Sequence, residues 1–414
     1  QRKAMICTNF PLHSLLGPDM NYYSQDFLLA HCQSILDFYT DRVVDSSGGY
    51  HQNFLDDGSL FDTHFKQLVS STRIIVNYAT AALVFERADY LEIARHGLKY
   101  LEQVHWQADT QTYAWTLNNH QPLDMTQQAY GYAFVLLAYA AARKAGLIHS
   151  DEPLFRVYQL LEKRFWQADA GLYADELSPA GVLSDYRGQN SNMHLCEAML
   201  AAFEATGNDR FLQRANQLAY NIAVRQADLT QGLVWEHYNT SFQPDWDYNK
   251  ADPKNLYRPW GFQPGHQTEW TKLLLILNRH QPQAWLTERA ASLFDRAYQQ
   301  AWDAEHGGLI YGFNPEGQWC DDDKYFWVQA ESFAAAALLH TSTGQQKYLQ
   351  QYQALWNYSW AHMIDHQYGA WFRVLRRDNS KYSNQKSAAG AKCDYHTLCA
   401  CFEVLRDLGH PALN

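Results

Sequence analysis

His266 and Glu269 stand three residues apart, and His194 and Glu197 repeat that spacing. On a helix, such a pair shares one face. A third histidine, His396, follows Asp394-Tyr395, and Trp327 precedes Glu331 by four residues. Imidazole titrates near neutral pH, so two of them on opposite sides of a bound molecule can remove and return a proton. A carbon-bound proton beside an aldehyde or ketone suits that exchange, with an arginine and further donors stabilising the enediolate oxygen. The chemistry needs no cofactor. Other uses of these residues are weaker. The two His-x-x-Glu pairs resemble metal ligands, but di-iron bundles run Glu-x-x-His from paired helices, and neither HExxH nor a Cys–His set is present. No metal is therefore expected. No GxSxG elbow supports a serine hydrolase. Glycoside hydrolysis by paired carboxylates stays open, with Glu236, Glu269 and Glu331 as candidate acids, and so does a non-catalytic sugar-binding protein.

What positions these residues is a repeat. Six glycine- or aromatic-rich patches, hairpin-like in character, recur about every sixty residues, at 46–51, 109–115, 169–175, 231–236, 306–311 and 368–372. Before the first comes a helix over 22–43. Before the others come amphipathic helices over 90–106, 154–166, 211–225, 285–302 and 348–363, each with one wet face. After each patch the chain is apolar nearly all round, at 71–85, 127–142, 193–205, 268–277, 328–339 and 397–405. Uniformly apolar helices are buried, and their frequent alanines permit close approach. An open solenoid would need polar capping repeats, whereas the sixth apolar helix is as apolar as the middle ones. The pattern predicts an all-α fold, a closed (α/α)6 barrel of six inner and six outer helices with short β-hairpins in the connections. It predicts one catalytic domain over 1–414.

In a ring of parallel inner helices the N-termini meet at one end. The entries read Lys66, Gln67 and Arg73; Met125, Gln127 and Gln128; Arg187 to His194, with Asn190; Pro264 to Trp270; Tyr325 to Glu331, with Trp327; and Lys392 to His396. Three histidines, two carboxylates besides Asp394, two arginines, an asparagine and a tryptophan are thus expected at one mouth. Leaving such groups buried and unpaired costs about 1–3 kcal/mol each. One buried histidine is ordinarily a satisfied core residue; three at one phase of different repeats point to function. Glu197 either joins the site or only orients His194. Asp394 reads as an N-cap, and Trp327 as core or as a stacking surface for a sugar. His237, His306, His340, His362 and His366 fall in hairpins or outer helices and read as surface residues. The long aromatic segment 236–260 is a candidate lid or an oligomer contact.

Thirty-three Lys and Arg against 44 Asp and Glu give a net charge of −11 with no basic stripe, which argues against nucleic-acid and anionic-membrane partners. Seven scattered cysteines without a CxxC pair suggest a reducing compartment. Gln1 to Leu16 lack the order of a signal peptide, and no uninterrupted apolar run reaches membrane-spanning length. The expectation is a soluble, cytoplasmic protein, monomer or homo-oligomer.

Taken together, Tyr186-Arg-Gly-Gln-Asn-Ser-Asn-Met-His194, Pro264-Gly-His-Gln-Thr-Glu-Trp270, Trp327-Val-Gln-Ala-Glu331 and Asp394-Tyr-His396 resemble the N-acylglucosamine 2-epimerase superfamily, in the same order and over nearly the whole chain. Lys66 to Arg73 and Arg258-Pro-Trp-Gly-Phe262 look most like its mannose isomerase branch. The resemblance implies a cofactor-independent aldose–ketose isomerase interconverting D-mannose and D-fructose through a cis-enediolate, acting on a monosaccharide. It implies His266 and His396 as the acid/base pair. Arg73, Asn190, His194 and Glu269 are implied as sugar-binding or orienting groups, and Trp327 as pocket wall beside Glu331. A 2-epimerase on N-acylglucosamine, on mannose and glucose, or on cellobiose would use the same intermediate and is the alternative. The sequence departs from some relatives at Val69 and Lys392.

Overall fold

The computed structural model describes residues 20–388 and 392–414. Gln1 to Leu16, and with them Cys7, lie outside the described residues. Helices α1 (Gln25–Thr40), α3 (Ala88–Tyr100), α5 (Glu152–Arg164), α7 (Asp209–Tyr220), α9 (Ala284–Ala301) and α11 (Gln346–Tyr358) alternate along the chain with α2 (Leu68–Phe85), α4 (Ala129–Lys144), α6 (Gln189–Thr206), α8 (Pro264–His280), α10 (Phe326–Thr343) and α12 (Tyr395–Asp407). The even-numbered helices pack in sequence, α2 on α4 and onward to α12, and α12 returns to α2. Each odd-numbered helix lies outside its even neighbour, with α1 against α12. This is the (α/α)6 barrel.

The two sets differ for a reason written in their residues. In α7, Phe211, Leu212, Ala215, Leu218 and Ala219 are buried, an i, i+3, i+4 stripe on one side of a wet helix. In α10, burial is continuous from Val328 to Leu339, and Ala334 to Ala337 let neighbouring backbones come close. Five inner helices begin two to four residues before their apolar runs, whereas α4 begins two residues late because Gln127–Gln128 is strand. The first turn of α6 is Gln189-Asn-Ser-Asn192, and α8 opens on Pro264, whose missing N–H is harmless at a first helical position. Helices α3, α7 and α11 continue into π-helical turns at Leu101–His105, Asn221–Gln226 and Ser359–Met363. Helix α2 is long and apolar enough to cross a membrane by length and composition alone, although Ser70 to Arg73 and Asn77 interrupt its apolar run, and most of it is buried in the barrel.

The hairpins close a second ring at one end. The strand before each inner helix pairs with the hairpin of the next repeat: Phe65–Gln67 with Thr116–Asn118, Gln127–Gln128 with Glu176–Leu177, Arg187–Gly188 with His237–Tyr238, and Lys324–Tyr325 with Val374–Leu375. Phe262 bridges Phe313, and Gln385–Ser387 pairs back to Asn53–Leu55 of the first repeat. The fourth residue of an inner helix fastens this ring. The side-chain amides of Asn192, Gln267 and Gln329 donate to and accept from the backbone of Tyr173, Val234 and Leu309 respectively, at 2.8–3.0 Å. Three buried ion pairs, each 21 residues apart in sequence, add to it: Lys66–Asp45 at 2.8 Å, Lys324–Asp303 at 3.0 Å and Lys386–Asp365 at 2.6 Å. Losing one partner of such a pair leaves a buried charge and costs about 3–5 kcal/mol.

Candidate active site

The inner helices deliver side chains to the axis by position. Val69, Tyr130, Asn190, Trp327 and His396 are each the second residue of their helix, and all five line one cavity of about 760 Å³. Arg73, His194 and Glu269, each a sixth residue, line it one turn deeper. In α8 the second residue is Gly265, and a Cβ there would lie 2.6 Å from Trp327 Cζ3. The missing side chain lets the Trp327 indole lie across the head of α8, and His266, the third residue, enters in its place. Because second residues from these helices meet in one space, their N-termini converge there, and the positive ends of their dipoles favour developing negative charge.

Trp327 touches both proposed acid/base residues, with ring centroids 5.1 Å from His266 and 5.6 Å from His396. Each imidazole is held through Nδ1 by a buried carboxylate. Glu331 Oε1 is 2.8 Å from His396 Nδ1. Glu236 Oε1 contacts His266 Nδ1, and its Oε2 accepts from the Gln189 amide at 2.7 Å. Gln189 in turn accepts from the Trp270 indole N–H at 2.8 Å, which fixes the direction of the whole chain. Nε2 of both rings is left without a protein partner among the described residues, in the cavity that both line. A carboxylate on Nδ1 sets the tautomer and aims the other nitrogen.

Deeper in the axis the groups crowd. His194 Nε2 is 3.9 Å from Glu269 Oε1, and its ring packs on Tyr130, Phe134 and His396. Arg73 donates to the Tyr130 hydroxyl at 2.9 Å and lies over the Phe134 and Tyr395 rings, at 4.4 and 5.0 Å. Glu269 is fully buried, and neither of its oxygens accepts a hydrogen bond. Asn190 Oδ1 and His194 Nδ1 are likewise buried without partners. Burial, with Glu331 adding like charge, pushes the Glu269 carboxyl well above the usual carboxylate range. Burial also holds His194 and His396 well below the usual imidazole value; Arg73 lowers both, and Lys272 and His266 add to the effect. Burial thus favours the neutral forms of His194, His396 and Glu269, beside a cationic arginine. Those are a proton acceptor, hydrogen-bond donors and a fixed positive charge in one shared cavity.

Several expected residues lie elsewhere. Lys66 is turned to Asp45, and Met125 does not reach the cavity. Arg187 donates to the carbonyls of Ser184 and Tyr186, and the arginines lining the mouth besides Arg73 are Arg258 and Arg373. Lys392 and Asp394 form a buried ion pair at 2.5 Å. Asp394 sits at the N-cap position but caps no backbone N–H, accepting instead from Lys392, Tyr39 and Thr397 side chains. Glu197 does not orient His194; it contacts the Tyr395 hydroxyl and Lys272. His237 is only 1% exposed, bonded to the Tyr186 hydroxyl at 2.7 Å and the Pro259 carbonyl at 2.8 Å, whereas the other four outlying histidines are partly or fully exposed. Around His237, segment 236–260 folds over the mouth, and Tyr248, Asn249 and Asn255 to Pro259 line the cavity.

Two groups went unread in the sequence. Glu236 was marked only as a possible glycosidase acid, yet it follows the clamped residue Val234 by two. Trp115 and Asp175 at that phase of their own hairpins, and Tyr311 likewise, reach the cavity. Lys272 continues the His266, Glu269 spacing by one more step of three, directly before the apolar residues Leu273 to Leu277.

Two carboxylate-oriented histidines beside an arginine, at one end of a helical barrel, are a set of groups suited to acid–base chemistry on a small molecule. In sequence, residues 48–400 fit the N-acylglucosamine 2-epimerase (GlcNAc 2-epimerase) profile, and the chain belongs to that family. It is 52% identical to a D-mannose isomerase from Marinomonas mediterranea over 387 residues, covering 93% of this chain and 98% of that protein. A cellobiose 2-epimerase from Bacteroides fragilis is 25% identical over 90% of this chain and 95% of its own length. A crystal structure of a D-mannose isomerase superposes with a TM-score of 0.92 at 51% identity, covering 94% of this chain and 99% of that one.

Proposed function

We propose that the chain acts as one catalytic domain that interconverts D-mannose and D-fructose. The carrying observation is the pair of buried dyads, His266–Glu236 and His396–Glu331, that flank Trp327 with Nε2 of each ring free in the cavity. One imidazole takes the C2 proton of the open-chain aldose, giving a cis-enediolate, and the proton is returned at C1. The other imidazole moves protons on the oxygens. Arg73 and Glu269, whose burial favours the protonated carboxyl, donate toward the developing oxyanion, and Asn190 and His194 hold the hydroxyls.

A 2-epimerase would return the proton to the opposite face of C2, and two independently oriented imidazoles favour that reading second. Mannose incubated with the protein in D2O separates them. Fructose carrying deuterium at C1 is expected; glucose labelled at C2 with no fructose would overturn the isomerase in favour of the epimerase. A glycosidase needs free carboxyls, and two of its three candidates, Glu236 and Glu331, are bound to imidazoles.

A further inference from the structure

We propose that Lys272 is a positioning residue for this reaction, acting through Glu331 on His396; the inference rests on the isomerase reading above. Lys272 is the ninth residue of α8, 3% exposed in the barrel axis, one turn below Glu269. Its Nζ lies 2.6 Å from Glu331 Oε2 and 3.7 Å from Glu197 Oε2. The other Glu331 oxygen faces His396 Nδ1 at 2.8 Å. One carboxylate is therefore held between an ammonium and an imidazole.

An ammonium can only donate. The ion pair on Oε2 then favours Glu331 as a carboxylate, and its Oε1 accepts the Nδ1–H of His396. That leaves Nε2 bare, as a base requires. Three carboxylates, Glu197, Glu269 and Glu331, share this dry volume, and buried like charges do not all stay ionised. Besides Lys272, the charged or titratable groups around His396 are Arg73 from α2, Tyr130 from α4, His194 from α6, His266 from α8, and Tyr395 and Cys399 from its own helix. Of the two cations among all of these, Arg73 is turned to Tyr130, and Lys272 alone pairs with Glu331.

Without the ammonium, the Glu331–His396 pair takes up a proton. If Glu331 takes it, Glu331 donates to Nδ1 and the ring proton moves to Nε2. If His396 takes it, the ring becomes imidazolium. Either way Nε2 carries hydrogen and cannot accept the substrate's.

The test uses the full chain with ¹⁵N-labelled histidine, the His396 signals assigned by their loss in His396→Asn. In the wild type at pH 8, Nε2 of His396 should be unprotonated; in Lys272→Met it should carry a proton. The same variant should lose about 10–100-fold in kcat with KM within a factor of about three, and recover as pH rises, its acid limb displaced upward by about one unit or more. Lys272→Met combined with Glu331→Gln should be no slower than Glu331→Gln alone, since the lysine acts only through that carboxylate. The double variant removes the ammonium together with its partner's charge, so it reports even if Lys272→Met alone does not fold. An unchanged Nε2 signal, a kcat within twofold of wild type, or a further loss in the double variant would each overturn the proposal. Absence of sugar isomerisation by the wild type would instead overturn the isomerase reading, and the Nε2 signal would still report on the relay.

Discussion

The two histidine–glutamate pairs reach the same end by different means. Glu236 comes from a hairpin, and its second oxygen is satisfied by a neutral amide, Gln189. Glu331 comes from an inner helix, and its second oxygen faces the Lys272 ammonium. Exposure does not explain the difference, since Glu236 is 3% and Glu331 1% exposed. Neighbours do. Glu331 shares the axis with Glu197 and Glu269, and both of those carboxyls are pushed upward by burial, with Glu331 adding to the push. A cation is needed where carboxylates crowd, and hydrogen bonds suffice where one stands apart.

Removing either imidazole should break the site most severely. His266→Ala and His396→Ala are each expected to lose about 10²–10⁴-fold in mannose-to-fructose turnover; near-normal activity in one would show that its dyad serves no proton transfer. Next come the orienting carboxylates. Glu236 accepts on both oxygens, and Glu331 faces an imidazole with one and an ammonium with the other, so an amide in either place must set an N–H against another donor. Glu236→Gln and Glu331→Gln should each lose on the order of 10²-fold in kcat, between the losses known for carboxylates orienting metal-bound and triad imidazoles. An unaffected Glu236→Gln would mean that the hairpin dyad is only structural.

Gly265→Ala tests what lies between the dyads. The added Cβ displaces Trp327 from both rings, and a smaller loss is expected, under the roughly 10²-fold that an ångström of misplacement costs, with KM raised. The fourth expectation concerns acid. His396 and His194 have folded values below the ordinary imidazole value of about 6.5. As pH falls below that value, the unfolded chain binds protons that the folded one refuses, so stability is lost as pH drops. His194→Asn should flatten that slope by one proton, about 1.4 kcal/mol per pH unit, in melts followed against pH. The smallest effect is expected from EDTA. Of the carboxylates that with His396 could hold a divalent ion, Glu331 is already paired with the Lys272 ammonium, so turnover should stay unchanged, and loss restored by a divalent ion would overturn this.

The barrel was legible in the sequence because wet and dry helices alternate six times, a signal spread over whole elements. The site was legible at helix heads such as Pro264-Gly-His266, but only by neighbourhood. Each residue turns about 100° around a helix, so Asn190 faces the cavity while Gln189 beside it reaches Glu236. Whether Arg187, Lys66 or Lys392 would face the axis depended on partners from other repeats, Asp45 among them, which no local pattern names. Asp394 resembled a cap because its type and place fit one, and Lys392 outbid the backbone for it. Lys272 was hidden by the leucines that follow it.

In α6, α8 and α10 the fourth residue fastens a hairpin, whereas Asn190, His194, Glu269 and Trp327, at second or sixth positions of the same helices, line the common hollow. Duties of folding and of chemistry thus fall on separate side chains of the same turn. The inward set can therefore be exchanged while the scaffold's own fastenings go untouched.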